Sequence, residues 1–261
     1  MPSSHRLYSD LAHLWLLMSP PEDYADEGAR LQGELRARLG PGRLRLLELG
    51  TGGGHLLHHL ADEFEATAVD LSEPMLAHSR RLNPGVTHHL GDMRTVRLDE
   101  TFDAVLIHDA IDYMRTEDDL RAAFATARAH LRPGGLLLAI PDDYVETFTP
   151  PHIAHETRRR DGAELTYVEY STDPDPGDTE IETVYVFFFR ENGALRVEVD
   201  RHTTGLFPIG TWERLLQGSG FEAERLDYPF SEHGAATYLW VCTARRPTCG
   251  CARRAAIPGA A

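Results

Sequence analysis

The stretch LRLLELGTGGGHL, residues 44–56, constrains the fold more than any other. A short, mostly apolar run suits a strand covered on both faces of a parallel sheet. It runs straight into Gly50, Thr51, Gly52, Gly53 and Gly54, and then into Leu56, Leu57 and Leu60 at helical spacing. Glycines between a strand and a helix permit a tight turn and let a ligand lie against bare backbone. A helix starting there points free N–H groups at that ligand.

The same alternation continues. EATAVDL (65–71) reads as a second strand, and SEPMLAHSRRL as a helix with Ser72 as N-cap and Pro74 in its first turn. GVTHHL (85–90) gives a weak third strand, TFDAVLIHD (101–109) a strong fourth and LLLAIPDD a fifth. TEDDLRAAFATARAHL is a helix capped by Thr116. Alternating strands and helices mean a doubly wound, mostly parallel Rossmann-like sheet with helices on both faces.

Near residue 142 the rhythm breaks. ELTYVEYS, IETVYVFFFR and ALRVEVDRHTT read as strands with no helix between them, and Glu-Asn-Gly joins the last two as a hairpin. This block reads as an inserted antiparallel cap. Afterwards GTWERLLQGSG is a helix, and FEAERLDYP and ATYLWVCTAR close a seven-stranded sheet. The expected organisation is N-terminal helices and core over 1–141, cap over 142–210, the rest of the core over 211–246 and a flexible tail over 247–261.

Composition narrows the function. The chain has 261 residues, 42% hydrophobic and 26% charged, enough for a packed core. Its formal charge is -15, and all 26 basic residues are arginines. Such a chain repels phosphate backbones, so nucleic acid and anionic membrane are excluded as expected partners. Three cysteines make no disulfide framework, and Cys249 and Cys251 lack a second ligand pair at metal spacing. LAHLWLLM (11–18) is too short to span a bilayer and reads as a buried helix face. A cytoplasmic enzyme without a metal is the expectation.

The glycine stretch also discriminates between ligands. An acid about 20 residues further on, at the end of the second strand, commonly grips a ribose diol; from Gly50 that position is Asp70. The dinucleotide fingerprint needs a third glycine where His55 stands. Glu48 would repel a pyrophosphate but suits a ligand with a cationic amine, which argues against a nicotinamide-dependent dehydrogenase.

LLELGTGGGHL, VDLSEPML, GDM and LRPGG, in this order over residues 44–141, resemble the class I S-adenosylmethionine (SAM)-dependent methyltransferase family. The resemblance implies that the loop of Glu48, Gly50, Thr51, Gly52 and Gly54 cradles the methionine and ribose of SAM, and that Asp70 holds the ribose hydroxyls. Asp92 matches the acid near the adenine amino group, with Met93 beside it and Leu71 and Met75 flanking the ring. His108, ending the fourth strand, sits where the family contacts the methionine portion. The flanks are similar to glycine-type and nucleotide-sugar amino N-methyltransferases, which implies Tyr24 near the methionine and Tyr8 facing the substrate.

The expected reaction is methylation of a small molecule, preferentially at an amine nitrogen, with S-adenosylhomocysteine (SAH) as product. A hydroxyl or carboxylate acceptor, and a non-catalytic SAM-binding partner protein, are the alternatives. A hydroxyl needs a base, as does an ammonium. His108 is the first choice, with Asp109 beside it. Asp142, Asp143, Tyr144, His152, His155 and His202 also lie within reach, although His152 and His155 read as exposed loop histidines. No D-P-P-Y tetrapeptide follows the fourth strand, which argues against nucleobase-amino methylation. VYVFFF offers an edge for a homodimer, and specialised metabolism is the expected setting.

Overall fold

A computed structural model describes residues 5–230 and 237–246. Five parallel strands form the sheet core: β1 Arg45–Leu49, β2 Glu65–Asp70, β3 Thr87–Leu90, β4 Phe102–His108 and β5 Leu131–Ile140. Later in the chain, β10 Phe221–Tyr228 and β11 Thr237–Ala244 complete it antiparallel, in the order β10-β11-β5-β4-β1-β2-β3. Strand order reverses beside β1, and in such sheets ligands bind outside the carboxyl ends of the strands at that point.

Helices cover both faces because the strands are apolar on both. Leu47, Leu49, Val105 and Ile107 pack with Phe124 and Trp212 on one side; Leu46, Leu106 and Leu138 pack with Leu31, Leu35 and Leu57 on the other. The covering helices are α2 Ala25–Leu39, α4 Glu73–Leu82, α5 Glu117–His130 and α6 Ile209–Gly218, with α3 His55–His58 short between them. Ser72 and Thr116 cap α4 and α5, accepting from the N–H groups of Met75 and Asp119.

The helix after the glycines is shorter than its leucine spacing predicts. Beyond His58 the chain turns by i to i+3 bonds, from His59 to Leu56 and from Leu60 to Leu57. At the N-terminus, LAHLWLLM folds as a 3-10 turn, Ala12–Leu14, and α1, Trp15–Met18. Its buried face is real: Leu11, Leu14 and Leu17 pack with Leu7 against Leu165, Phe187 and Phe189 of the cap.

The cap sheet has four strands, not three: β6 His152–Arg160, β7 Ala163–Thr172, β8 Glu180–Glu191 and β9 Ala194–Gly205, all antiparallel in sequence order. β6 corrects the loop expected for His152 and His155. Their spacing of three puts them on opposite faces of one strand, so they cannot hold one ion together. β8, which carries VYVFFF, lies between β7 and β9, so its backbone is fully paired and offers no edge to a second copy. Cys249, Cys251 and the expected tail lie outside the described residues. Among the described residues, no helix is long and apolar enough to cross a membrane.

Gly54 shows what the glycine run does structurally. Its φ is +73°, and a Cβ there would come 2.2 Å from Ser79 Oγ and 2.6 Å from Asn83 Nδ2 of α4 and its cap. Gly54→Ala should therefore destabilise the chain by at least about 2 kcal/mol. Gly33→Ala, in α2 with nothing within 4 Å, should stabilise it by about 0.5–1 kcal/mol. Chemical denaturation of both variants checks this; equal midpoints would contradict the packing account.

Candidate active site

Two cavities meet at the carboxyl ends of the strands. The larger, about 760 Å³, is framed by the loop after β1, the ends of β2 and β3, and the turn after β4. The smaller, about 430 Å³, lies between the N-terminal segment, β4 and the inner face of the cap sheet. Tyr8, Trp15, Tyr24, His108, Asp109 and Tyr113 line both and form the wall between them.

The larger cavity gathers most of the residues expected to hold the cofactor: Glu48, Gly50, Thr51, Gly52, Asp70, Leu71, Asp92 and Met93. Gly50 lies at φ +82°, and a Cβ there would be 2.3 Å from the Cβ of Ala110. The loop is held by its own N–H groups. Those of Gly50 and Thr51 donate to Val69 O, and that of Gly52 donates to Asp70 Oδ2 at 2.7 Å. The N–H groups of Gly50, Thr51 and Gly52 are thus spent on holding the loop against β2.

Two expected cofactor residues stand elsewhere. Gly54 does not line the cavity, because it packs on α4. Met75 is fully buried behind the loop, its Cε 3.6 Å from where a Gly52 Cβ would be. Trp15, Gly53 and His55 line the cavity instead, and sequence spacing did not single them out. Burial pulls the His55 ring down to about 4, so it stays neutral, and its Nδ1 donates to Ser19 O at 2.5 Å.

The acids around this cavity differ in state. Glu48 is buried, which pushes its carboxyl up to about 7 although the Thr51 hydroxyl donates to it. Burial also raises Asp70, against hydrogen bonds from the N–H groups of Ser72 and Gly52. Asp92 is held low by the Arg94 guanidinium at 2.6 Å.

His108 is the centre of the dividing wall. Its Nε2 donates to Glu27 Oε1 at 2.8 Å, and its Nδ1 lies 3.0 Å from Asp109 Oδ2. Burial disfavours the charged ring, but Asp109 and Glu27 outweigh it and raise His108 well above its usual value. Both ring nitrogens thus face carboxylates, Glu27 on one side and Asp109 on the other, so His108 is placed to hold these two acids where its strand-end position suggested a base. Tyr228 OH also donates to Glu27, at 2.6 Å. Asp109 itself sits at φ +38°, a strained conformation of the kind found at functional sites.

A second chain of groups crosses the wall. Tyr8 OH is 2.8 Å from Tyr113 OH, which is 2.6 Å from His202 Nδ1, and His202 Nε2 is 2.8 Å from Asp200 Oδ2. Burial works against the Asp200 charge, yet hydrogen bonds from His202 and Leu7 N–H hold it down to about 2. An ionised Asp200 fixes the proton on His202 Nε2 and leaves Nδ1 to accept from Tyr113. Only the Asp-x-His spacing on one face of β9 signals this in the sequence. Tyr24 OH hydrogen-bonds Ser19 Oγ at 2.6 Å on the same wall. Tyr144 is not available as a base: it is fully buried and accepts from Trp240 Nε1 at 2.8 Å.

A cavity this size, with acids at the ends of β1 and β2 and after β3 and a loop too close to bear side chains, fits an adenosyl cofactor with a cationic amine. Comparison with known proteins agrees. A methyltransferase-domain family model matches residues 46–135. The dTDP-3-amino-3,4,6-trideoxy-alpha-D-glucopyranose N,N-dimethyltransferase of Streptomyces venezuelae is 33% identical over 79% of this chain and 86% of its own length. The dTDP-3-amino-3,6-dideoxy-alpha-D-glucopyranose N,N-dimethyltransferase of Streptomyces fradiae is 33% identical over 84% and 85%. Among solved structures, Streptomyces venezuelae DesVI superimposes with a TM-score of 0.80 at 29% identity, over 94% of this chain and all of that one. A SAM-bound amino pentose methyltransferase from Micromonospora echinaspora does so at 0.74 and 28%, over 84% and 91%. The chain belongs to the class I SAM-dependent methyltransferase family, and SAM is its cofactor.

Proposed function

We propose that the chain methylates an amine nitrogen of a small molecule held in the smaller cavity. The observation that carries this reading is the acid-lined chamber that meets the cofactor cavity across a wall of tyrosines and His108. An amine arriving as an ammonium ion is attracted there, whereas a carboxylate acceptor is repelled. The relatives named above, which act on amino sugars, support the same choice.

SAM supplies a methyl group already activated on a sulfonium, so the protein's work is placement, exclusion of water and handling of a proton. Asp70 would hold the ribose hydroxyls, and Asp92, fixed by Arg94, would face the adenine amino group. Glu48 would meet the cationic amine of the methionine end. Asp109 would hold the acceptor nitrogen at the dividing wall, with His108 and Glu27 keeping its carboxylate in place. Tyr8 would take the proton that the nitrogen sheds. Its own proton would pass to Tyr113, and that of Tyr113 to His202 Nδ1, leaving an imidazolium against Asp200. The proton thereby leaves the wall without crossing the cofactor cavity.

Three outcomes follow. Asp70→Ala should weaken SAM binding by about 10- to 100-fold, the value of charge-assisted hydrogen bonds, with the fold retained; calorimetric titration with an unaltered dissociation constant would overturn the ribose role. SAM affinity should rise with pH as Glu48 ionises around 7, because the carboxylate and not the acid attracts a cation. An affinity flat between about pH 5.5 and 7, below the titration of the α-amino group, would remove Glu48 from the site. His202→Gln should lower kcat by about 100-fold, as for loss of a proton acceptor, while SAM binding is unchanged. The deficit should narrow as pH rises, because more of the acceptor then arrives already deprotonated. A rate equal to that of the native chain would dismiss the relay.

A further inference from the structure

We propose that the outer face of the cap sheet seats a second copy of this chain, the two caps packing face to face about a two-fold axis. This goes beyond methyl transfer and holds whichever acceptor the chamber takes.

β8 is apolar on both sides. VYVFFF, residues 184–189, has the composition of a strand covered on both faces. Within one chain the described elements cover only one. Phe187 and Phe189 are buried against the N-terminal segment, and Tyr185 lines the smaller cavity. Val184, Val186 and Phe188 alternate with them and point the other way. The ladder sets these three beside further apolar side chains. Val168 and Val199 flank Val186, Val197 lies beside Phe188, and Tyr170 and Ile153 continue the row of Val184. Ile153, Tyr170, Phe188, Val197 and Val199 are between 37% and 59% exposed, as is Leu195 at one corner.

Area and charge both favour a second copy as the occupant. At roughly 200 Å² for a side chain of this size, these six expose on the order of 500–600 Å² of each chain. That is the upper end for the largest apolar patch of a monomer, and most of the roughly 800 Å² that one partner gives to a stable interface. The two middle rows of the face, from Thr157 to Val197 and from His155 to Val199, hold no acid and no arginine. The end rows add Arg159, Arg190 and Arg201 against Glu164 and Glu182. Three positive charges less two negative leave this face at +1 on a chain of -15. It is where two such chains approach with least repulsion, whereas the rest of the surface repels an anionic membrane. A flat face with a neutral apolar centre also fits its own image, as an isologous interface requires. Residues 1–4, 231–236 and 247–261 are poor material to cover it, since Met1 and Ile257 are their only large apolar side chains. Thr183 and Tyr185 stand on the reverse of β8 and line the smaller cavity, so the second copy would back the chamber wall.

The test is sedimentation velocity on the full chain, with SAH binding as the check on the fold. At about 100 μM, well above the micromolar dissociation constants of the weaker interfaces of this size, the native chain should sediment as a dimer. The double variant Phe188→Glu, Val199→Glu sets like charges against each other across the axis and should raise the dimer dissociation constant at least about 100-fold. Both side chains are exposed in the single chain, so SAH binding should be unchanged. Should the double variant fail to bind SAH, Val197→Arg, at the most exposed of these valines, gives the same reading with a loss of at least about tenfold. The conservative pair Phe188→Leu, Val199→Ile should remain a dimer. A native chain that sediments as a monomer would overturn the proposal, including one that dimerises only after residues 247–261 are removed. A dimer that survives the charged substitutions with SAH binding intact would overturn it too, because the copies would then meet elsewhere.

Discussion

The site depends on one buried ion cluster, the His108 ring held between Glu27 and Asp109. It joins α2 to the carboxyl end of β4, and through Tyr228 it reaches the end of β10. Three elements that are distant in sequence are thereby fixed around the point where the two cavities meet. Removing one member would leave a buried charge unpaired, which is more costly than the pair is worth.

The cap adds a second constraint. Its inner face is a ladder of polar residues in register: Glu169 beside Tyr185 and Asp200, and Ser171 beside Thr183 and His202. The leucines of the N-terminal segment clamp one end of that face, and Tyr8 is carried into the wall by the same packing. The chamber is therefore closed by a sheet whose buried side remains polar. Such a surface is stable only because its groups are hydrogen-bonded to one another and to the N-terminal backbone.

Much of this was legible in the sequence because it follows from local rules. The parallel core, the caps Ser72 and Thr116, and the acids ending β1 and β2 are each written within a few residues. Helical spacing after the glycines misled, because i to i+3 turns end α3 after four residues. Gly54 and Met75 have the right positions for a cofactor loop but serve packing behind it. β6 escaped notice because HIAHETRRR is polar and charged; only its pairing with β7 makes it a strand. The role of His108 was the hardest to read. A histidine at a strand end suggests a base, but its state is set by Asp109 beside it together with Glu27, 81 residues earlier, and no spacing rule finds the second of these. The same is true of the link from Tyr8 through Tyr113 to His202 and Asp200.

The account stands on two cavities with separate duties, divided by the wall of Tyr8, His108, Asp109 and Tyr113. A crystal structure of the chain with SAH tests it most directly. SAH should lie in the larger cavity, with its ribose hydroxyls on Asp70 and its sulfur turned toward the wall and the acid-lined chamber beyond. SAH seated in the smaller cavity, or with its sulfur turned away from the wall, would contradict the assignment of donor and acceptor sides.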